Sequence, residues 1–267
     1  MKKLLFILIT SLVLCLAGCG RSPEAPNTIR VGTMSGPDEQ VLEAAKEVAR
    51  ERYGLHIQIV QFNDYNLPNA ALSDGSIDAN IFQHKPYLDA AIQANHYKLV
   101  PIAKTFIFPM GIYSSQYKSI KAIPDKAVVA VPNDPSNEAR ALLLLQKAGL
   151  LTLKPGASVT ATANDIANNP KHLQIKELDA AQLPRVLPDV AIAVINSNYA
   201  IPANLIPTRD AIFLEGKDSQ YANLIVVRTA DKDQPQFQAL IKAMHSQEVL
   251  HAANKFFAGQ DIPAWKK

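Results

Sequence analysis

The order of secondary structure in residues 28–62 constrains the fold more than any other feature of the sequence. Residues 28–33 (TIRVGT) and 55–62 (LHIQIVQF) are both typical of short strands. Between them, apolar residues recur at spacings of three and four, which predicts an amphipathic helix that ends at Gly54. A strand, a helix and a second strand in this order predict parallel strands with a right-handed crossover, and therefore an α/β domain.

The same pattern begins again after a crossing segment, which predicts a second α/β lobe. Residues 98–113 are extended in character but are interrupted by two prolines, which is typical of a chain that passes between units. Residues 128–131 then form an apolar strand, and Asp134 and Pro135 suit the N-cap and first position of a helix. Residues 190–195 predict a buried central strand of the same lobe.

We therefore predict a two-lobed α/β fold in which each lobe is a mostly parallel sheet flanked by helices. The first lobe comprises residues 28–108 plus 204–267, and the second comprises residues 109–203. The return to the first lobe is expected to run through strands at 211–215 and 221–227. Two lobes joined by crossing segments form a hinged clamp, the arrangement with which periplasmic binding proteins close on small ligands.

The N-terminus has the features of a bacterial lipoprotein signal. Two lysines precede an apolar run from Leu4 to Ala17, which is too short to span a membrane comfortably. The run ends in Leu16-Ala17-Gly18-Cys19, which resembles a lipobox. We expect residues 1–18 to be removed as a signal peptide and Cys19 to be acylated, with palmitate among its acyl chains. Residues 19–27 would then form a tether; the alternative is an uncleaved anchor helix.

Charge and cysteine content exclude two classes of protein. The formal net charge of +3 falls to +1 when Lys2 and Lys3 leave with the signal, so the mature chain has no electrostatic footprint for nucleic acid. The second cysteine, Cys15, lies in the discarded segment. We therefore expect no disulfide and no nucleic-acid partner.

Candidate binding residues cluster where the strand near residue 80 meets the following helix. Pro86 suits the first turn of that helix, and Phe82, His84 and Tyr87 lie around the corner. In α/β sheets, side chains at the carboxyl ends of strands project into the crevice where ligands bind. The alternative for each residue alone is a core aromatic or a loop histidine with its hydrogen bonds satisfied.

Five further residues occupy comparable positions, and three of them have a structural alternative. Tyr65 follows a strand end but could pack on the next helix, and Asn196 could simply cap a helix. Asn137 and Arg140 lie near a helix N-terminus, which attracts anions, although Arg140 could pair with Glu138 or with solvent. Asn223 is a polar amide in an apolar strand and needs a partner.

Together these side chains have the chemistry of an amino-acid pocket. An arginine can bind a carboxylate through two hydrogen bonds, amide oxygens can accept from an ammonium group, and aromatic rings favour an apolar or sulfur-bearing side chain. Catalytic and metal-binding motifs are absent from the sequence, and no nucleophile accompanies a possible pairing of His84 with Asp78 or Asp64. We therefore expect a binding protein without cofactor or metal, and not an enzyme.

Long stretches of the sequence resemble the methionine-binding lipoproteins of bacterial ABC importers, the NlpA lipoprotein family. The resemblance spans the mature chain, and Ser136, Glu138 and Ser197-Asn198 depart from the pattern beside the pocket. It is carried by residues 53–55 (YGL), 62–65 (FNDY), 78–80 (DAN), 82–88 (FQHKPYL), 131–135 (VPNDP), 142–147 (LLLLQK), 182–185 (QLPR), 193–196 (AVIN) and 223–226 (NLIV).

The resemblance implies that methionine lies in the cleft as the L-form, with the D-form or a derivative as the alternatives. It places Arg140 on the carboxylate and three asparagines, Asn137, Asn196 and Asn223, at the polar end. It places the methionine side chain among Tyr65, Phe82, His84 and Tyr87.

The resemblance also implies a monomeric, lipid-anchored protein of the cell envelope, facing the periplasm or the exterior. Its partners would be a membrane permease and the ATPase that drives it. The alternatives are a lipoprotein that binds another amino acid or host or envelope proteins, and an envelope enzyme that uses His84.

Overall fold

The computed structural model describes residues 27–216 and 218–265. The predicted signal peptide, the acylated Cys19 and the tether up to residue 26 lie outside these residues. No helix in the described part of the chain combines the length and the hydrophobicity that crossing a membrane requires.

The first sheet has six strands, and most of them run in one direction. The strands are β1 (Thr28–Met34), β2 (His56–Phe62), β3 (Ala79–Ile81), β4 (Leu99–Ile107), β12 (Ala222–Arg228) and β13 (Ile262–Pro263). Their order across the sheet is β13-β4-β12-β3-β1-β2. β1 is parallel to β2 and β3, while β12 is antiparallel to both β3 and β4. Strands β1 to β4 therefore share one direction, and the chain returns against them.

The second sheet is smaller, and most of its strands also run in one direction. Its strands are β5 (Gly111–Tyr113), β6 (Val128–Pro132), β9 (Gln174–Leu178), β10 (Ile192–Ile195) and β11 (Ala211–Leu214), in the order β11-β5-β10-β6-β9. β6 is parallel to β9 and β10, whereas β5 is antiparallel to its neighbours β10 and β11. A short hairpin of β7 (Thr152–Leu153) and β8 (Ile166–Asn168) lies apart from both sheets. The predicted fold class is confirmed.

The three helix boundaries that the sequence predicts, at Gly54, Pro86 and Asp134, are found in the structure. The helices are α1 (Pro37–Tyr53), α2 (Leu67–Ser73), α3 (Lys85–Asn95), α4 (Pro135–Lys147), α5 (Leu183–Val186), α6 (Ser197–Ala200), α7 (Pro207–Asp210), α8 (Pro235–Met244) and α9 (Gln247–Phe256). Gly54 ends α1 with φ 60°, a left-handed conformation that suits glycine. Asp134 caps α4, because its carboxylate accepts a hydrogen bond from the backbone N–H of Asn137 at 3.0 Å.

Each face of the first sheet is covered by helices, and the side chains of strand β12 contact the helices on both faces. Ile225 and Val227 pack into the cluster formed with α1, α8 and α9, while Leu224 and Val226 pack into the cluster on the side of α2 and α3. Successive side chains of a strand point to opposite faces. A strand buried on both faces therefore reads as a continuous apolar run, as this one does.

One prediction about the path of the chain is wrong. We expected the chain to have returned to the first lobe by residue 204, but β11 pairs with β5 in the second sheet. The crossing back therefore falls between β11 and β12. A four-residue apolar run such as AIFL carries no local sign of which sheet it joins, and the rest of the predicted lobe boundary stays a prediction.

Asp78 lies at the amino end of β3, away from His84, so the two cannot form the acid–base pair that the sequence allowed. Its carboxylate accepts hydrogen bonds from the backbone N–H and guanidinium of Arg30 at 2.9 to 3.1 Å and from Arg228 at 3.2 Å. Burial alone raises the pKa of Asp78, but these hydrogen bonds and charges outweigh it and hold the pKa below its usual value. The residue ties β1, β3 and β12 together.

We expect Asp78→Asn to lower the free energy of unfolding by about 1–3 kcal/mol at pH 7, between the values for exposed and buried ion pairs. Urea denaturation measures this difference. Because the folded-state pKa is depressed, the stabilisation is present above the usual aspartate pKa and is lost as the pH falls through the folded-state value. Asp89→Asn, which breaks the exposed pair with Lys85, is the control; an equally small effect of both variants would contradict the prediction.

Candidate functional site

A cavity between the two lobes contains all eight residues predicted from the sequence. It encloses about 420 Å³ of space between atoms, part of it open to solvent. Both lobes contribute to its wall, which consists of Asp38, Tyr65, Phe82, Gln83, His84, Tyr87, Phe108, Asn137, Arg140, Asn196, Ser197, Asn198 and Asn223. The structure thus brings the candidates together, and their contact with a ligand stays a prediction.

The corner after β3 is fixed by buried amide side chains. The Gln83 amide donates to Asn69 at 2.6 Å and to Asn80 at 2.9 Å, and it accepts from Asn69 at 2.9 Å. All three residues are almost completely buried. Because these amides satisfy one another, the corner has one orientation, and Phe82 and His84 on either side of Gln83 face the cavity.

His84 is neutral and its tautomer is set by its neighbours. Nδ1 accepts the backbone N–H of Tyr87 at 3.3 Å, as the N-cap of α3. The proton therefore resides on Nε2, which donates to Oδ1 of Asn137 in the other lobe at 3.3 Å. Burial, and then the charge of Arg140, lower the pKa of His84 to about 3. Nδ1, the nitrogen that could act as a base, already accepts the hydrogen bond from Tyr87. This geometry therefore does not support the alternative of an enzyme that uses His84.

Asn137 is fully engaged and orients Asn196. Its side-chain N–H groups donate to both carboxylate oxygens of Asp134 at 3.0 Å, and its Oδ1 accepts from His84 and from Nδ2 of Asn196 at 3.0 Å. The remaining oxygen of Asn196, Oδ1, is buried at the cavity and has no hydrogen-bond partner within residues 27–216 and 218–265. Asn196 also occupies the N-cap position of α6, but its side chain makes no capping hydrogen bond.

Among the described residues, the guanidinium of Arg140 makes hydrogen bonds to the protein through Nε and Nη2 but not through Nη1. Its Nε and Nη2 donate to the two carboxylate oxygens of Glu215 at 3.1 and 2.5 Å, and Nη2 also donates to the carbonyl oxygen of Phe108 at 3.0 Å. The guanidinium carbon lies 4.5 Å from the centre of the Tyr221 ring. Nη1 has no hydrogen-bond partner in the described part of the chain, so its two N–H groups remain for an anion in the cavity.

The partner of Arg140 differs from the alternative that the sequence suggested. Glu138 does not pair with Arg140; it accepts the backbone N–H of Ala163 at 2.9 Å. Glu215, the actual partner, follows β11 and is 75 residues away in sequence. Its Oε2 also accepts the backbone N–H of Met110 at 3.1 Å, so the ion pair is attached to the segment that crosses between the lobes.

Aromatic rings of the first lobe form the opposite wall. The ring centres of Tyr65, Phe82 and Tyr87 lie 5.7 to 6.0 Å apart, a spacing typical of edge and tilted contacts. The hydroxyl of Tyr65 donates to Oδ1 of Asn198 in the second lobe at 2.7 Å, and that of Tyr87 donates to the Tyr65 carbonyl at 2.7 Å. Burial raises the pKa of both tyrosines, so the hydroxyls stay protonated.

Asn223 completes the set predicted from sequence. It lies in β12 opposite His84, and the backbone N–H of the next residue, Leu224, donates to the carbonyl of Gln83 at 2.9 Å. Its amide therefore lies beside the His84 corner, on the wall of the cavity.

Five residues of the cavity wall are not among the predicted site residues: Asp38, Gln83, Phe108, Ser197 and Asn198. Glu215, the partner of Arg140, is not among them either. Asp38 follows the carboxyl end of β1, the same signal that identified Tyr65, and could have been found by it. Asn198 was noted only as a flanking position, yet its Nδ2 is buried without a partner among the described residues while its Oδ1 binds Tyr65. Glu215 carries no local signal. Within the described ranges, no group of three or more histidine, cysteine or carboxylate side chains could hold a metal ion.

Known proteins resemble this chain over nearly its full length. The sequence model of the NlpA lipoprotein family matches residues 29–265. The D-methionine-binding lipoprotein MetQ of Salmonella typhi is 52% identical over 254 residues, which cover 94% of each chain.

Two solved structures also have a similar fold. The structure of an ABC transporter periplasmic substrate-binding protein from Coxiella burnetii has a TM-score of 0.86 at 56% identity, covering 88% of this chain and 100% of that one. The structure of a nutrient binding protein from Burkholderia cenocepacia bound to methionine has a TM-score of 0.86 at 54% identity, covering 88% of this chain and 99% of that one.

The Arg140–Glu215 pair generates a stability prediction. The two side chains are 5% and 12% exposed, so Glu215→Ala leaves a buried positive charge and should lower the free energy of unfolding by about 3–5 kcal/mol. Replacing both residues, as Arg140→Met with Glu215→Met, should recover most of that loss because no charge remains buried. Urea denaturation of the single and double variants measures the coupling.

The exposed pair of Arg50 and Glu47 on α1 provides the matched control, and Glu47→Ala should leave the free energy of unfolding nearly unchanged because water screens the pair. Equal effects of Glu215→Ala and Glu47→Ala would contradict the prediction.

Proposed function

The chain belongs to the NlpA lipoprotein family, as its motifs predict, and on that premise we propose that it binds methionine between its lobes as the lipid-anchored receptor of an ABC importer. The family consists of substrate-binding proteins of such importers rather than enzymes. Relatives that are at least half identical to this chain and are named or solved as methionine-binding proteins support the choice of ligand.

The observation that carries the proposal is the set of polar atoms without partners at the cavity. Among the described residues, the buried donor Nδ2 of Asn198 and the buried acceptor Oδ1 of Asn196 have no partner. Nη1 of Arg140 is a further donor, since the hydrogen bonds of that side chain within the described ranges use only Nε and Nη2. A buried polar atom without a hydrogen bond is unfavourable by about 1–3 kcal/mol. An amino acid offers a carboxylate to the donors and an ammonium group to the acceptor, which would satisfy all three.

In the proposed complex, Arg140 binds the carboxylate through Nη1, while Asn137, Asn196 and Asn223 surround the polar end of the ligand. Asn137 acts by orienting Asn196, since its own amide is already engaged. The side chain of methionine lies among Tyr65, Phe82, His84 and Tyr87. Thioether sulfur makes favourable contacts with aromatic rings, so this wall suits methionine better than a charged or small side chain.

We also propose how the receptor is placed in the cell. Acylation of Cys19 would anchor it in the cell envelope, where it faces the periplasm or the exterior as a monomer and delivers its ligand to a membrane permease driven by an ATPase. Tethering keeps the receptor close to the permease and so raises its effective concentration there.

The ligand is tested by calorimetric titration of the soluble chain that starts at residue 20, after bound ligand has been removed by partial unfolding and dialysis. We expect saturable binding of one methionine, with the L- and D-forms titrated separately. Arg140→Lys should weaken binding by about tenfold or more, because a lysine keeps the charge beside Glu215 but loses the fixed geometry of the guanidinium.

Arg50→Lys, an exposed substitution on α1, is the control and should bind as the wild type does. Failure of the folded, ligand-free chain to bind either enantiomer would refute methionine as the ligand. Unchanged affinity in Arg140→Lys would refute the carboxylate contact.

The anchor is tested by metabolic labelling with palmitate in a bacterial host. Wild-type protein should carry the label and sediment with membranes, whereas Cys19→Ser should carry none, because the acylated thiol is gone. Cys15→Ser is the matched control, since that cysteine lies in the segment that is removed, and it should be labelled like the wild type. Label on Cys19→Ser would contradict the proposal.

A further inference from the structure

We propose that the carboxylate of Asp38 receives the ammonium group of the ligand, so that the cavity selects a zwitterion rather than a carboxylate alone. The proposal deepens the function proposed above and rests on it. It adds to the site a residue that neither the motifs nor the relatives' names identify.

Asp38 faces the cavity from the first turn of α1, directly after β1 and the Gly36-Pro37 turn. It lines both the main cavity and a smaller one that adjoins it. Phe108 and Asn223 also line both cavities. Within the described residues its carboxylate takes part in no hydrogen bond or ion pair. The carboxylate of the neighbouring residue, Glu39, does accept a hydrogen bond, from the side-chain amide of Gln61.

Asp38 is the one charged side chain of the described cavity wall that lacks a partner of opposite charge, because Arg140 is paired with Glu215. Arg140 is the one cationic side chain among the described residues of the wall, since His84 is neutral, and Asp38 is the one carboxylate. Burial raises the pKa of Asp38 to about 7, as expected for a carboxylate that lacks a cation. A bound ammonium group would supply that cation and restore the ionised form.

A second acceptor points to the same chemistry. Oδ1 of Asn196 is buried and without a partner within the described residues, and Asn196 as a whole is 8% exposed. A carboxylate and an amide oxygen without donors form a site for a group that only donates, and an ammonium group has three N–H donors.

The two charges of the site belong to different lobes. Asp38 lies on α1 of the first lobe and Arg140 on α4 of the second. A zwitterion that contacts both would connect the lobes through its own two charges, whereas a ligand with a carboxylate alone would contact the first lobe only through its apolar side chain. The ammonium contact therefore favours the closed arrangement as well as the ligand.

The test compares methionine with 4-(methylsulfanyl)butanoate, which keeps the carboxylate and thioether but lacks the ammonium group. Both are titrated into the soluble chain from residue 20, which contains both lobes, and into Asp38→Asn. Wild type should bind methionine about tenfold or more tightly than the analogue, and Asp38→Asn should lose that margin while its affinity for the analogue stays the same. The variant should fold, because it removes an unpaired charge.

Glu39→Gln is the matched control and should bind both ligands as wild type does. The proposal is overturned if Asp38→Asn weakens both ligands equally, which would indicate a structural role, or if it weakens neither. In those cases wild type still binds methionine and the proposed function stands. Absence of methionine binding by wild type would overturn the proposed function and this inference together.

Discussion

The buried ion pair of Arg140 and Glu215 joins the three parts of the chain on which the cavity depends. Arg140 lies in α4, Glu215 follows β11, and both side chains also bind the backbone at Phe108 and Met110, where the chain passes between the lobes. Charges in a poorly solvated interior are unfavourable unless they are paired and hydrogen-bonded, so the guanidinium has a single low-energy orientation. That orientation leaves Nη1 free for the cavity. Arg140 is therefore oriented before any ligand enters, and little ordering of its side chain remains to oppose binding.

Among the described residues, three side-chain hydrogen bonds between neutral groups join the lobes. Tyr65 donates to Asn198 at 2.7 Å, His84 to Asn137 at 3.3 Å, and the Tyr199 hydroxyl to the carbonyl of Asn63 at 3.3 Å. Neutral hydrogen bonds of this kind contribute only about 0.5–1.5 kcal/mol each. Closure is thus not strongly favoured by the protein alone, and a ligand that bonds to both lobes can shift the balance between open and closed forms.

The sequence revealed much of the site because its residues lie at strand ends, where local patterns are readable. His84 and Tyr87 flank a proline that marks a helix start, and Asn137 lies three residues after a recognisable N-cap. Asp38 was harder to recognise, because an acid in the first turn of a helix is common and needs no ligand to explain it. Glu215 could not be found at all, since its pairing with Arg140 depends on how β11 joins the second sheet. That same strand was assigned to the wrong lobe, because four apolar residues fit either sheet equally well.

The position of β12 has a consequence for how the chain acquires its structure. This strand, residues 222–228, lies inside the first sheet between β3 and β4, although more than a hundred residues separate it from them in sequence. The first sheet therefore cannot be completed until almost the whole polypeptide has been synthesised, whereas all strands of the second sheet precede residue 215. Such non-local pairing slows folding because a long loop must close first. The N-terminal half therefore remains without its central strand until the C-terminal segment has been synthesised, and the apolar edges of β3 and β4 stay unpaired until then.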